Sequence, residues 1–235
     1  GLMAEGKIGE HVFCLHRMGF VGGEYGYGGP EGGNLGGFPY AHVKAFLAHP
    51  FSLMRHFCGD ITHVQAFLER PHFRRAANDP MLSVNSIHVR FARGGTGYLF
   101  SQRGDATLCL GGWWSFELGG TRGTFVIENC VEKLTFVPAP GAPDAGTAKL
   151  GLGQMPPAQV WNTGITDFGA TFPRRIHAFL EDVANQVPKN RLRASGRDAL
   201  ATLEYTFAAI RSHENDGAII RPHPLPATGR PAGSV

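Results

Sequence analysis

Apolar and polar positions alternate with two different periods along the chain, and each period marks its own kind of element. The opening LMAEGKIGE reads as the last turn of a helix, with Leu2 and Met3 apolar and Gly6 and Gly9 as its stop. A chain that opens on a helix end is expected to be cut from something longer. EHVFCLHRMGF then reads as a strand. From Phe38 to Cys58 the period changes. Val43, Phe46 and Leu47, then Phe51, Met54 and Phe57, recur at helical spacings of three and four. Pro50 interrupts that pattern. A proline has no amide donor and clashes with the preceding turn, so it fits best in the first turn of a new helix. The expectation is a helix ending near His49 and another from Pro50, or one kinked helix, closed by Gly59.

The middle of the chain is a run of strands. ITHVQAFLE is rich in β-formers, and SIHVRFARGGTGYLFSQRG reads as two strands joined by a tight turn at Gly94-Gly95. WWSFELGGTRGTFVIENC repeats the scheme around Gly119 to Gly123, and VEKLTFVP follows. Residues 138–157 are rich in Pro, Gly and Ala and read as a loop. Two amphipathic helices come next. One runs from about Phe172 to Gln186 with Ile176, Phe179, Leu180 and Val183 on one face; the other runs from about Arg197 to Asp216 with Leu200, Leu203, Phe207 and Ile210 on one face. Ser195 is a candidate N-cap and Gly217 a candidate C-cap. AIIR reads as a short last strand, and the tail from His223 to Val235 as disordered.

Strands followed by helices, without βαβ alternation, define an α+β domain. A large, mostly antiparallel sheet over residues 10–137 with helices on one face makes a single domain of residues 1–222. Its other face then needs a cover, and a second subunit is the usual one, so a homo-oligomer through the sheet is expected, with some of Trp113, Trp114 and Phe116 in the contact.

Composition narrows the function classes. The net charge of +3 and the scattered basic residues leave no basic stripe for nucleic acid. No apolar run approaches the roughly 20 residues needed to cross a bilayer, and no signal-like N-terminus is visible, so a cytoplasmic location is expected. Cys14, Cys58, Cys109 and Cys130 are far apart and form no CxxC pair; they read as buried thiols in a reducing compartment. The stretch from Gly19 to Gly37 carries too many glycines for a regular element and reads as a long surface loop, or as a lid or subunit-contact loop. It holds GxGG but no strand–GxGxxG–helix unit, so no Rossmann domain is present in this chain.

Taken in order, four stretches resemble the C-terminal domain of Gfo/Idh/MocA oxidoreductases. They are LMAEGKIGE, AHPFSLMRHFCGDITHVQAF, ELGGTRGTFVIEN, and the closing pair IHAFLEDVANQV and SGRDALATLEYTFAAIRSHENDGAIIRP. That resemblance implies a substrate-binding and oligomerisation domain of an NAD(P)-dependent enzyme acting on a sugar, cyclitol or related hydroxyl compound. The NAD or NADP would be bound mainly by a domain absent from this chain, and the isolated chain would be inactive. A non-catalytic dimeric binding or assembly module is the alternative.

The resemblance also implies the site residues. The family's catalytic histidine falls on His49, whose neutral imidazole can accept a proton near pH 7. The carboxylates that accompany it fall on Ala45 and Ser52, so both are missing. A histidine satisfied by helix-terminal backbone groups is the competing reading of His49. Arg17 near the end of the first strand, Lys44 and Trp113 are the candidate substrate contacts; a solvated lysine and ordinary sheet packing are the alternatives for the last two. His42, His49 and His56 are spaced by seven, but Pro50 breaks the helix between them and no metal site is assigned.

Overall fold

A computed structural model describes residues 1–19, 38–146, 151–193 and 195–224. Eight strands form one sheet: β1 (His11–Gly19), β2 (Ile61–Glu69), β3 (Val84–Phe91), β4 (Thr96–Gln102), β5 (Trp114–Gly120), β6 (Gly123–Glu128), β7 (Lys133–Pro138) and β8 (Gln159–Asn162). Their order across the sheet is β2-β3-β4-β1-β5-β6-β7-β8. Every neighbouring pair is antiparallel except β1 with β4, so the sheet is mixed with an antiparallel majority. The helices are α1 (Ala41–Phe46), α2 (Ala48–Cys58), α3 (His72–Ala76), α4 (Phe172–Ala184) and α5 (Gly196–Glu214). The α+β architecture anticipated from the order of periods is the one observed.

Alternation along the strands sorts side chains between two faces. On β1 the residues Cys14, His16 and Met18 are buried beneath the helices, while Leu15 and Arg17 face the other way. The same inner face takes Val64, Ala66 and Leu68 of β2, Ile87 and Val89 of β3, Leu99 of β4, and Trp114, Phe116 and Leu118 of β5. Helix α2 seals it with Phe51, Met54 and Cys58, and α5 with Ala201, Tyr205, Ala208 and Ala209. The phenol of Tyr205 accepts from the Ile61 amide at 3.3 Å, and Arg55 of α2 bonds both Asp60 and Asp198. Asp198 is also the N3 residue of a capping box with Ser195, so the start of α5 is fixed twice.

Several expectations are corrected. The helix break falls at Leu47, before His49; Leu47 keeps helical angles (φ −69°, ψ −15°), so α1 and α2 form one kinked rod. Pro50 sits in the first turn of α2, where its missing donor leaves no bond unmade. Gly94 and Gly95 do not make a two-residue turn. The amide of Gly94 donates to the carbonyl of Phe91 at 3.1 Å, so Ala92 and Arg93 form the turn, and the glycines, both with positive φ, return the chain to β4. The AIIR segment contributes a single antiparallel bridge, Val64 to Ile220, and no strand. Strand β8 was invisible because four residues, QVWN, are too few to show a period. Trp114 and Phe116 are buried on the helix side and are unavailable to a partner on the open face. Of the cysteines, Cys14 and Cys58 are buried free thiols, but Cys109 is exposed and Cys130 only partly covered.

Helix α5 buries a different face from the one its large residues mark. Leu200, Leu203 and Phe207 stay 41–50% exposed, while Ala201, Tyr205, Ala208, Ala209 and Ile210 face β2 and α2. Helix α4 leaves Phe172, Ile176, Phe179, Leu180 and Val183 exposed and buries only Asp182, which Arg193 grips through its amide and guanidinium, each at 2.9 Å. Among the described residues no helix is long and apolar enough to cross a membrane. All but the first residue of the glycine-rich stretch, and the tail from residue 225, lie outside the described residues.

Candidate functional site

The kink at Leu47 decides where His49 stands. Leu47 and Phe51 are fully buried and anchor the elbow in the core, and Pro50 packs beneath. His49, one position away from that buried face, lies exposed at the start of α2 with its ring against Trp114, the centroids 6.0 Å apart at 62°. Trp114 opens β5 opposite Met18 and is buried on the inner face. It is also the centre of an aromatic run. His16 meets it at 5.0 Å and Trp113 at 5.6 Å; Trp113 meets Phe168 at 5.9 Å, which meets Phe172 at 5.0 Å.

Two histidines line the wall and both are neutral at pH 7. Desolvation pushes the His49 imidazole below its ordinary value, because burial penalises the charged form. The same cause pushes the fully buried His16 down to about 3. A third, His42 on α1, is pushed down to about 4 by burial and then by the Arg103 charge. Neither ring nitrogen of His16 or of His42 has a hydrogen-bond partner among the described residues. A neutral imidazole beside a flat indole can take a proton from a hydroxyl and stack on the apolar face of a ring, which suits a polyol or sugar.

Of the residues singled out from the sequence, His49 and Trp113 come to this wall and the other two do not. Lys44 extends over Tyr40 and Phe207, with its ammonium 6.0 and 5.8 Å from their centroids, on the α5 side of the rod. Arg17 emerges on the open face of the sheet. There it opposes Ser115 across the ladder and lies close to Gly111, where an added Cβ would stand 3.1 Å from its Nη2. Its charge partly offsets the desolvation that raises the Glu117 carboxyl. His16 was not anticipated, although its place between Cys14 and Met18 in the alternation of β1 carried the signal. The positions four before and three after His49 hold Ala45 and Ser52, both exposed, and no carboxylate pairs with His49 among the described residues. His42, His49 and His56 do not converge: they meet Phe46, Trp114 and Phe57 respectively, and no metal-holding group occurs among the described residues.

Neither a protein-family model nor a curated protein sequence matches the chain. Solved structures do. Levoglucosan dehydrogenase in complex with NADH superposes with a TM-score of 0.70 at 16% identity, over 94% of this chain and 61% of that one. An NAD-binding oxidoreductase from Klebsiella pneumoniae gives 0.68 at 14% identity, over 94% and 61%. An oxidoreductase from Agrobacterium radiobacter in complex with NAD+, L-tartaric acid and magnesium gives 0.64 at 17% identity, over 94% and 59%. The chain thus spans about three fifths of the length of these structures. Its fold is that of the C-terminal sheet domain of Gfo/Idh/MocA-type oxidoreductases.

Proposed function

We propose that this chain is the substrate side of an NAD(P)-dependent oxidoreductase acting on a sugar, cyclitol or related hydroxyl compound. The observation that carries the reading is the neutral, solvent-facing imidazole of His49 set against the indole of Trp114. The sequence itself carries no strand–GxGxxG–helix unit to cradle the phosphates of a dinucleotide. The chain's part is to stack the ring of the substrate on the half-buried Trp113, with Trp114 behind it holding His49, and to take the hydroxyl proton at His49. The neighbours' names supply the substrate class, since levoglucosan dehydrogenase is recorded with levoglucosan and with L-sorbose. The apolar stripes of α4 and α5 would be covered by the nucleotide-binding domain, because they lie on the helix side that a nicotinamide must approach to reach His49.

A panel of anhydrosugars, hexoses and cyclitols titrated against tryptophan fluorescence tests this. Saturable quenching by at least one class is expected, weakened about tenfold or more in Trp113→Leu and in His49→Gln. No saturation with any of them sinks the reading. A second reading, a non-catalytic dimeric module, draws on Ala45 and Ser52, which leave His49 without an orienting carboxylate. In that case sugars bind, His49→Gln leaves that binding unchanged, and no turnover appears when a nucleotide-binding domain is supplied.

A further inference from the structure

The open face of the sheet carries a second concave site at its β2 edge. A cavity of about 180 Å³ is lined by His63, Gln65, His88, Arg90, Thr96 and Ile219. The register explains how it forms. His63 lies opposite Arg90, Gln65 opposite His88, and Arg90 opposite Thr96, so five polar side chains from three strands form one patch on one face. Directly opposed side chains sit about 5 Å apart. The bridge between Val64 and Ile220 then brings the segment after α5 along the edge and places Ile219 over the rim.

The chemistry of the patch is one-sided. No carboxylate lines the cavity. The guanidinium groups of Arg90 and of nearby Arg221 form no salt bridge among the described residues, and both are exposed. Both lie close enough to His63 to oppose its protonation. Two guanidinium groups beside one imidazole, with no carboxylate lining the cavity, leave an excess of positive charge that an oxyanion would offset. Two side chains are already committed. Gln65 donates to the Gly217 carbonyl at 3.0 Å and Thr96 to the Val89 carbonyl at 2.9 Å, which fixes the floor. The His63 Nδ1 shares a hydrogen bond with the Thr62 hydroxyl at 3.0 Å, and that hydroxyl also donates to the Arg90 carbonyl at 3.2 Å. The Arg90 fork remains as the donor of fixed sign, and each imidazole donates only through the ring nitrogen that carries its proton.

We propose that this pocket binds a phosphate group, either as inorganic phosphate or as a phosphate monoester, independently of the His49–Trp114 site. Arg90 supplies two parallel donors, a geometry that matches two phosphate oxygens.

The test is calorimetric titration of the full chain with inorganic phosphate, glucose 6-phosphate and glucose, with ionic strength held constant by chloride. Saturable binding of phosphate or of the ester is expected. Arg90→Gln and His63→Gln should each weaken it at least tenfold, with circular dichroism unchanged because both side chains are at the surface. Arg174→Gln, on α4, should bind as the original chain does. Tighter binding of the ester than of phosphate would identify a monoester as the occupant; equal binding would identify the phosphate group alone. Absence of saturation, or equal affinity in Arg90→Gln and His63→Gln, overturns the proposal.

Discussion

His16 and Arg17 are neighbours in sequence and work on opposite faces of the same sheet. His16 points under α2, fully buried between Trp114 and Phe116 and held neutral. Arg17 points away from the helices, half-buried and charged, with Glu117 for company. A strand reverses its side chains at every step, so one residue decides between a desolvated aromatic wall and a wet surface. The helix-covered face concentrates the groups that can move a proton; the open face concentrates charge and scattered apolar residues. Each face therefore predicts a different response to substitution.

The largest difference lies in turnover. When the chain acts together with a nucleotide-binding domain, His49→Gln should lower the rate of sugar-dependent nicotinamide reduction by about two to four powers of ten, the scale of a general base. Arg17→Gln should change it by less than about threefold, because Arg17 stands across the sheet from Trp114. An equal loss in the two variants would erase the distinction between the faces.

Stability should divide the same way. Phe116 is 1% exposed and packs on Phe57 at 5.3 Å and on Phe125 at 6.2 Å. Phe116→Ala should cost about 3–5 kcal/mol in urea unfolding, the sum of lost transfer energy and the cavity left behind. Leu15→Ala, across the sheet at 38% exposure, should stay within about 0.5–1 kcal/mol.

Acid sharpens the contrast further. His16 titrates at about 3 in the fold against 6.5 when free, and His42 at about 4, both because burial excludes the charged form. Their neutrality costs nothing above the unfolded value. As pH falls below about 6.5 the unfolded chain takes up protons that the fold refuses, so stability declines until the folded values are reached near pH 3–4. Each histidine contributes a slope of about 1.4 kcal/mol per pH unit in that window. His16→Leu should remove one such slope in unfolding curves from pH 7 to 4. A variant whose acid sensitivity matches the original chain would show that His16 is solvated.

How much of this was legible in the sequence depends on whether the signal was local. Strand β2 and the Ser195 N-cap of α5 appear at their expected places, since a run of β-formers and a serine ahead of an amphipathic stretch are local statements. What a helix buries is not local. The apolar period of α5 marked Leu200, Leu203, Phe207 and Ile210 as one face, yet of these only Ile210 is buried, and the space over β2 and α2 takes Ala201, Tyr205, Ala208 and Ser212 instead. The site divides along the same line. His49 was singled out through its motif, while His16 needed the sheet's alternation and the overlying helix to be seen together. Arg17 was placed at the cleft because its side chain suits sugars, and the parity of β1 moved it to the other face.

The smallest predicted effect concerns that other face. We propose that its part from β1 to β8, away from the β2 edge, pairs with a second copy of the chain, because Leu15 and Val160 stand there 38% and 50% exposed. Glu117 supports the same location: burial alone raises its carboxyl while Arg17 opposes the shift, so the middle of the face is already partly desolvated in a single copy. A contact that buries Leu15 would meet an ammonium badly, since desolvating an unpaired charge costs several kcal/mol. Leu15→Lys should therefore shift sedimentation from dimer to monomer at micromolar concentration. Its unfolding free energy, measured once monomeric, should change by no more than about 0.5 kcal/mol, as for surface substitutions generally. Lys at Leu15 has no such effect if the chains associate through the stripes of α4 and α5; there Phe179→Lys would dissociate them instead. A dimer that survives Leu15→Lys and falls apart with Phe179→Lys would move the oligomer contact to the helix side and leave the open face to its charges.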